Sequence, residues 1–232
     1  MTHAALRQTA YDANMQLASS GLVMGTFGNL SAADYGAGVF AIKPSGVPYE
    51  RLTPAQIVVI SLDSGEVVDG TLRPSSDTPT HHELYRAFGC GAIVHTHSEY
   101  ATMFAQARLP IRCMGTTHAD YFRGAIPVTR PMQRHEVETE YEKNTGLVIA
   151  EAFTSGGVSP QDVQAVLVAN HGPFAWGRDA AAAIENARVL EYLARLEWRV
   201  RTLAPDAQEP DTFLIEKHYG RKHGPQAYYG QK

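Results

Sequence analysis

Cysteine is nearly missing from this sequence, long apolar runs are missing altogether, and neither sign of charge dominates. Only Cys90 and Cys113 occur, too few for a disulfide framework, which predicts reduced thiols and a cytoplasmic setting. No apolar stretch is long enough to span a bilayer, so no membrane anchoring is expected. The formal net charge of -4, with both signs interspersed, gives nucleic-acid binding no electrostatic support. No glycine fingerprint for a nicotinamide cofactor is found. Residues 1–20 carry Arg7 and Asp12 in a helical pattern and lack an apolar core with a small-residue cleavage site, so no secretory signal is expected. No linker divides the chain, which reads as one domain over residues 1–232.

Regular patterning is present throughout. Residues 4–19 place Leu6, Tyr11, Met15 and Leu17 at helical spacing, and Gly21 ends the run. Residues 39–42 and 57–62 read as short strands separated by a turn at Lys43, Pro44, Ser45 and Gly46. A helix starts near Thr78 and Pro79 and stops at Gly89, followed by a strand over 92–97. Residues 136–153 read as one helix closed by Gly156 and Gly157, and 165–168 as a buried strand. Asp179 opens the longest helical pattern, with Ala183, Ile184, Ala187, Leu190 and Leu193 on one face. The segment 213–232 is too polar for a core element and too aromatic for an idle tail. Strands and helices without strict alternation predict an α/β domain whose sheet is covered by helices on both sides.

Histidine is plentiful, ten in all, and it is not scattered evenly. In a strand, His95 and His97 point to the same side, and two imidazoles at that spacing can share a metal ion. His171, between an apolar strand and Gly172-Pro173, is a third candidate, and Asp77 a fourth. Three imidazoles suit Zn²⁺ with an open position; separately satisfied histidines are the alternative. Lys43, Ser45 and Gly46 in one loop, and Ser75 and Ser76 before a helix N-terminus, offer an ammonium, hydroxyls and free amides to an anion, with Gly28 and Asn29 completing the cradle. Turns and caps use the same residue types. Asp120, in the polar run 115–121, and Tyr229 or His218 near the C-terminus are general acid or base candidates; as structural residues they would cap a turn and pack on the surface.

Several blocks of the sequence, residues 43–46, 74–81, 94–98, 115–122, 171–177 and 217–231, closely resemble the L-ribulose-5-phosphate 4-epimerases, within the class II aldolase and adducin-type superfamily. The resemblance runs over nearly the whole chain. It implies a class II aldolase-like fold with a mainly antiparallel central sheet. It implies zinc held by His95, His97 and His171 with Asp77 at the site, and phosphate bound by Gly28, Asn29, Ser45, Gly46, Ser75 and Ser76, with Lys43 in the same loop. Asp120 and Tyr229 become an acid/base pair with His218 nearby, acting across subunits of a fourfold homotetramer. The implied reaction is interconversion of L-ribulose 5-phosphate and D-xylulose 5-phosphate in arabinose or ascorbate catabolism. Carbon 4 of that ketose carries no acidic proton, so inversion there requires a retro-aldol step and rotation of the aldehyde fragment. A class II sugar-phosphate aldolase that releases its fragments is the nearest rival, and a non-catalytic adducin-type scaffold domain the rival from another class.

Overall fold

The computed structural model describes residues 3–229; Met1, Thr2, Gly230, Gln231 and Lys232, including the end of the resembling C-terminal block, lie outside the described residues. The chain opens with α1 (Ala4–Ser19) and four strands, β1 (Asn29–Asp34), β2 (Val39–Ile42), β3 (Val58–Ser61) and β4 (Val67–Asp69). Then come α2 (Thr78–Phe88), β5 (Ala92–His95), α3 (Glu99–Ala107), α4 (Thr116–Ala119), α5 (Arg134–Glu138) and α6 (Tyr141–Gly156). The last part holds β6 (Ala165–Leu167), β7 (Pro173–Gly177), α7 (Ala180–Leu203) and α8 (Thr212–His223). The seven strands form one sheet in the order β4-β3-β2-β1-β5-β7-β6, and every neighbouring pair is antiparallel.

Register decides which side chains share a face, because residues opposite each other in an antiparallel pair project to the same side. Ser31 lies opposite Ile42 and Ile93, and Asn29 opposite His95, which in turn lies opposite Phe174. That face therefore carries Asn29, Ser31, Phe40, Ile42, Ile93, His95, Phe174 and Trp176 together. It is covered by α2 and α6: Phe88 and Phe153 pack on Trp176 with ring centroids 4.7 and 5.3 Å away. The alternate residues Leu30, Ala32, Ala41, Val94 and Ala175 form the other face, under α1 and α7. Buried Arg7 fastens α1 to the sheet margin, donating to the carbonyls of Ala55 (3.2 Å) and Ile57 and pairing with Asp69 at 3.0 Å. Truncating a fully buried ring such as Phe174 to Ala would cost about 3–5 kcal/mol.

The expected sheet between two helical layers is what the chain builds, and α1, α2 and α7 occupy the stretches their patterns mark. Two segments differ. Residues 136–153 are two helices, because Thr139 leaves helical geometry (φ -110°, ψ -99°) between α5 and α6. The strand expected over 92–97 ends at His95, leaving His97 in the connection to α3. The tail includes a helix, α8, none of whose residues is buried. No helix of the described residues is long and apolar enough to cross a membrane. Both cysteines are buried and free.

Candidate active site

Three elements end at one place. His95 is the last residue of β5, and its Nδ1–H donates to the Pro173 carbonyl at 3.0 Å. A carbonyl can only accept, so Nδ1 carries a proton and Nε2 is the atom left to face the other two rings. His97 follows two residues on, its Nε2 3.1 Å from that of His95. His171 sits in the β6–β7 turn, shaped by Asn170 at φ +64° and by the Val168 amide donating to the Gly172 carbonyl. The turn presses so closely on β5 that a Cβ at Gly172 would lie 2.8 Å from the Thr96 carbonyl oxygen. The donor atoms of the three imidazoles all lie within 4.8 Å of one another.

This donor set fits a divalent cation. Tetrahedral zinc with bonds of about 2.0–2.1 Å spaces its ligands by roughly 3.4 Å, close to the His95–His97 separation. Ligating imidazoles must be neutral. Burial pushes His171 down to about 4, helped by His95 and His97, and burial with His95 lowers His97, so both favour the neutral form. The Nδ1 of His171 is buried without a partner. Phe27 stacks on His97 at 5.9 Å, and Phe174 on His95 at 4.1 Å.

Beside the histidines opens a cavity of about 380 Å³, lined also by Gly28, Asn29, Lys43, Ser45, Gly46, Ser75, Ser76 and Asp77. Every substrate-binding candidate of the sequence thus meets the metal candidates in one cavity. Two loops are laced together by the Ser45 amide donating to the Arg73 carbonyl and the Ser75 amide to the Lys43 carbonyl, each at 3.0 Å. Lys43 is only 2% exposed, its ammonium over the Tyr49 ring at 4.8 Å, and burial lowers its pKa. A buried ammonium with so few partners is poised for an anion. Gly28 is needed as glycine: φ is +84°, and a Cβ would meet Val23 at 2.7 Å and the His95 carbonyl at 3.0 Å.

Asp77 is the N-cap residue of α2, yet its carboxylate makes no cap hydrogen bond. It turns instead to Asn29, whose amide donates to Oδ2 at 2.6 Å. An N-cap aspartate normally satisfies its own helix, so this one is diverted to the cavity. Burial alone would raise its pKa; His95, His81, the Asn29 bond and His171 outweigh that and hold the group below the usual range.

Asp120, His218 and Tyr229 do not line this cavity. They meet each other where α8 packs against α4. Arg221 donates to both Asp120 oxygens, at 2.9 and 2.6 Å, and the His218 ring contacts Oδ1 at 3.0 Å. Burial opposes but does not overcome the lowering of the Asp120 pKa by Arg221 and His218. The Arg221 guanidinium lies 4.9 Å from the centre of the Tyr229 ring. Sequence reasoning missed Arg221 in this cluster and missed Tyr141 and Glu142 in the cavity wall. The last two open α6, and only its packing on α2 carries them to the site.

Comparison with known proteins finds the same fold elsewhere. An L-fuculose 1-phosphate aldolase is similar at 25% identity and a TM-score of 0.79, with 95% of this chain and 97% of that one covered. The L-fuculose-1-phosphate aldolase of Thermus thermophilus shares 26% identity at a TM-score of 0.69, covering 90% of this chain and all of that one. YgbL of Klebsiella pneumoniae shares 27% identity at a TM-score of 0.72, with 94% and 99% covered. The model of the class II aldolase and adducin N-terminal domain matches residues 8–198. The chain belongs to that family.

Proposed function

We propose that this protein is a zinc-dependent epimerase that interconverts L-ribulose 5-phosphate and D-xylulose 5-phosphate by breaking and re-forming the C3–C4 bond, within arabinose or ascorbate catabolism. The observation that carries this reading is the meeting of three imidazoles with two loops of hydroxyls, amides and one ammonium in a single cavity sized for a small sugar phosphate. His95, His97 and His171 would hold the zinc, with Asp77 beside them. When bound, the cation supplies Lewis acidity to the oxygens next to the breaking bond.

The remaining work falls to the protein's own groups. Lys43, Ser45, Gly46, Ser75, Ser76 and the free amides at the start of α2 hold the phosphate, with Gly28 and Asn29 closing the cradle. A base takes the C4 hydroxyl proton as the C3–C4 electron pair passes toward the C2 carbonyl, leaving an enediolate and glycolaldehyde phosphate. Anchored by its phosphate, the aldehyde rotates and presents its other face. The bond then re-forms and the new C4 oxygen takes a proton from an acid on the opposite side. Asp120, kept ionised by Arg221 and His218, suits the base, and the Tyr229 phenol suits the acid. Because both stand away from the cavity of their own chain, they act on substrate held by a neighbouring copy in a homotetramer.

The likeness to two fuculose-phosphate aldolases supports a second reading, an aldolase that lets its fragments go. Proton NMR of the zinc-loaded protein with L-ribulose 5-phosphate separates the two. D-xylulose 5-phosphate is expected. Free dihydroxyacetone and glycolaldehyde phosphate would favour the aldolase, and unchanged substrate would sink the epimerase.

A further inference from the structure

Behind the Asp77 carboxylate lies a buried polar chain that the reaction above does not use. His81 follows Asp77 by four residues on the first turn of α2, so the two side chains share one face of the helix. That face meets β1, where Asn29 and Ser31, two residues apart, share a side of the strand. Asn29 reaches Asp77, and Ser31 reaches His81, its Oγ 2.7 Å from Nδ1. The same Oγ is 2.7 Å from the Tyr85 hydroxyl. All three groups are buried, His81 with no exposure at all.

The direction of this chain follows from counting hydrogens. The Tyr85 hydroxyl hydrogen has one acceptor in reach, Ser31 Oγ, so Tyr85 donates to Ser31. Ser31 has one hydrogen, which must then go to His81 Nδ1. That makes Nδ1 an acceptor and puts the ring hydrogen on Nε2. This Nε2–H is buried and has no partner. An unmet buried donor of this kind is costly, and an acceptor at the site would relieve the cost. Beyond Ser31, the groups whose charge acts on the ring are Asp77 and His95. His95 stacks on Phe174, against which the His81 ring stands edge-on at 6.0 Å.

We propose that His81 is a positioning residue for Asp77: Tyr85 and Ser31 lock its ring as the Nε2–H tautomer, and that hydrogen, through one bridging water, holds the carboxylate in register with the histidine centre. Asn29 then grips the carboxylate from one side and His81 from the other. The inference rests on the reading of the histidines as a metal centre with Asp77 beside it. Outer partners of this kind change metal affinity or turnover by about 10–100-fold.

Two measurements test it. Nitrogen-15 NMR of the zinc-loaded protein reads the tautomer of His81 without any assay of activity. A protonated Nε2 and a bare Nδ1 are expected in the wild type; a proton on Nδ1 overturns the proposal. The second is a double-mutant cycle on cobalt-loaded protein, following both turnover and the visible absorption band of the cobalt site. His81→Gln keeps an amide hydrogen near the Nε2 position and is expected to leave the band in place. His81→Asn does not, and is expected to shift the band and lower turnover about 10–100-fold. In an Asp77→Asn background, His81→Asn should add little to either effect. Equal effects of Gln and Asn, or an undiminished penalty in the Asp77→Asn background, would mean a role in packing alone and overturn the proposal. Should His81→Asn fail to fold, Tyr85→Phe, which keeps the ring in place, is expected to mix the two tautomers; an unchanged nitrogen spectrum counts against the relay. A wild type that shows the tautomer and band pattern but turns over neither sugar phosphate refutes the reaction and leaves the role of His81 standing.

Discussion

The cavity at the end of β5 and the corner between α4 and α8 carry the same kinds of residues, histidine, aspartate, tyrosine and a basic group, in opposite states. In the cavity, His95, Lys43 and the Asn29 amide are buried, and the backbone of three strand ends fixes them. At the corner, the Asp120 carboxylate is held by Arg221 and His218, α8 has no buried residue, and Phe213, Tyr228 and Tyr229 are 74%, 61% and 58% exposed. Buried donors of fixed geometry make a binding centre that one chain can complete. Exposed aromatic rings around an ion pair make half of one, and an apolar surface of this kind is ordinarily covered by another protein surface. The contrast supports the assignment of metal and phosphate to the first region and proton transfer across a subunit boundary to the second.

The sharpest way to break the comparison is to damage each region and read the other. His97→Ala should abolish stoichiometric zinc, read by elemental analysis, and lower turnover on the order of 10⁴-fold. Undiminished activity in verified zinc-free protein would end the metal assignment. Asp120→Asn or Tyr229→Phe should lower turnover about a hundredfold or more while zinc content stays at the wild-type level. If both keep full activity, the corner has no part in catalysis. Mixing Asp120→Asn with His97→Ala sharpens this further, because oligomers containing both chains are expected to recover activity that neither variant has alone.

The two regions also differ in how far sequence reaches them. His95, His97 and Asp77 were legible because strand alternation and a helix start would bring them together over short separations. His97 comes close to His95 by another route than strand alternation, since the strand stops at His95 and the connection to α3 carries His97 back. The two candidate anion loops were legible because Ser45, Gly46, Ser75 and Ser76 are residue types whose backbone amides and hydroxyls suit an anion, and the structure brings them to one cavity. Arg221 was not. It stands 101 residues from Asp120, and no local pattern says which acid a basic residue in a polar tail will find. Ser31 was hidden in the same way, as a small polar residue in an apolar strand, given meaning only by the face that register assigns it. Glu142 and Tyr141 read as part of one continuous helix, and it is the break at Thr139 and the packing of α6 on α2 that aim them at the cavity.

Within the cavity, Lys43→Met should weaken the substrate more than it slows the chemistry. A lost charge-assisted bond of about 1.5–3 kcal/mol predicts a ten- to hundredfold fall in kcat/KM, carried mainly by KM. A fall confined to kcat would move Lys43 from phosphate binding to the reacting atoms.

The smallest expected effect concerns α4 itself. His118, on α4, is buried and contacts the Gly124 carbonyl through Nε2 at 2.7 Å, and burial pushes its pKa down from 6.5 to about 4. Its neutral form is favoured in the folded state, so the unfolded chain takes up the proton first as pH falls. The stability this group contributes is complete above pH 6.5 and is lost as pH drops from there toward 4. At pH 5 the loss amounts to roughly 1–2 kcal/mol. Urea unfolding at pH 7 and pH 5 measures it, and His118→Gln should remove that part of the difference. If the variant keeps the full pH dependence, the acid sensitivity belongs to the buried histidines of the cavity and the α4 corner contributes none of it.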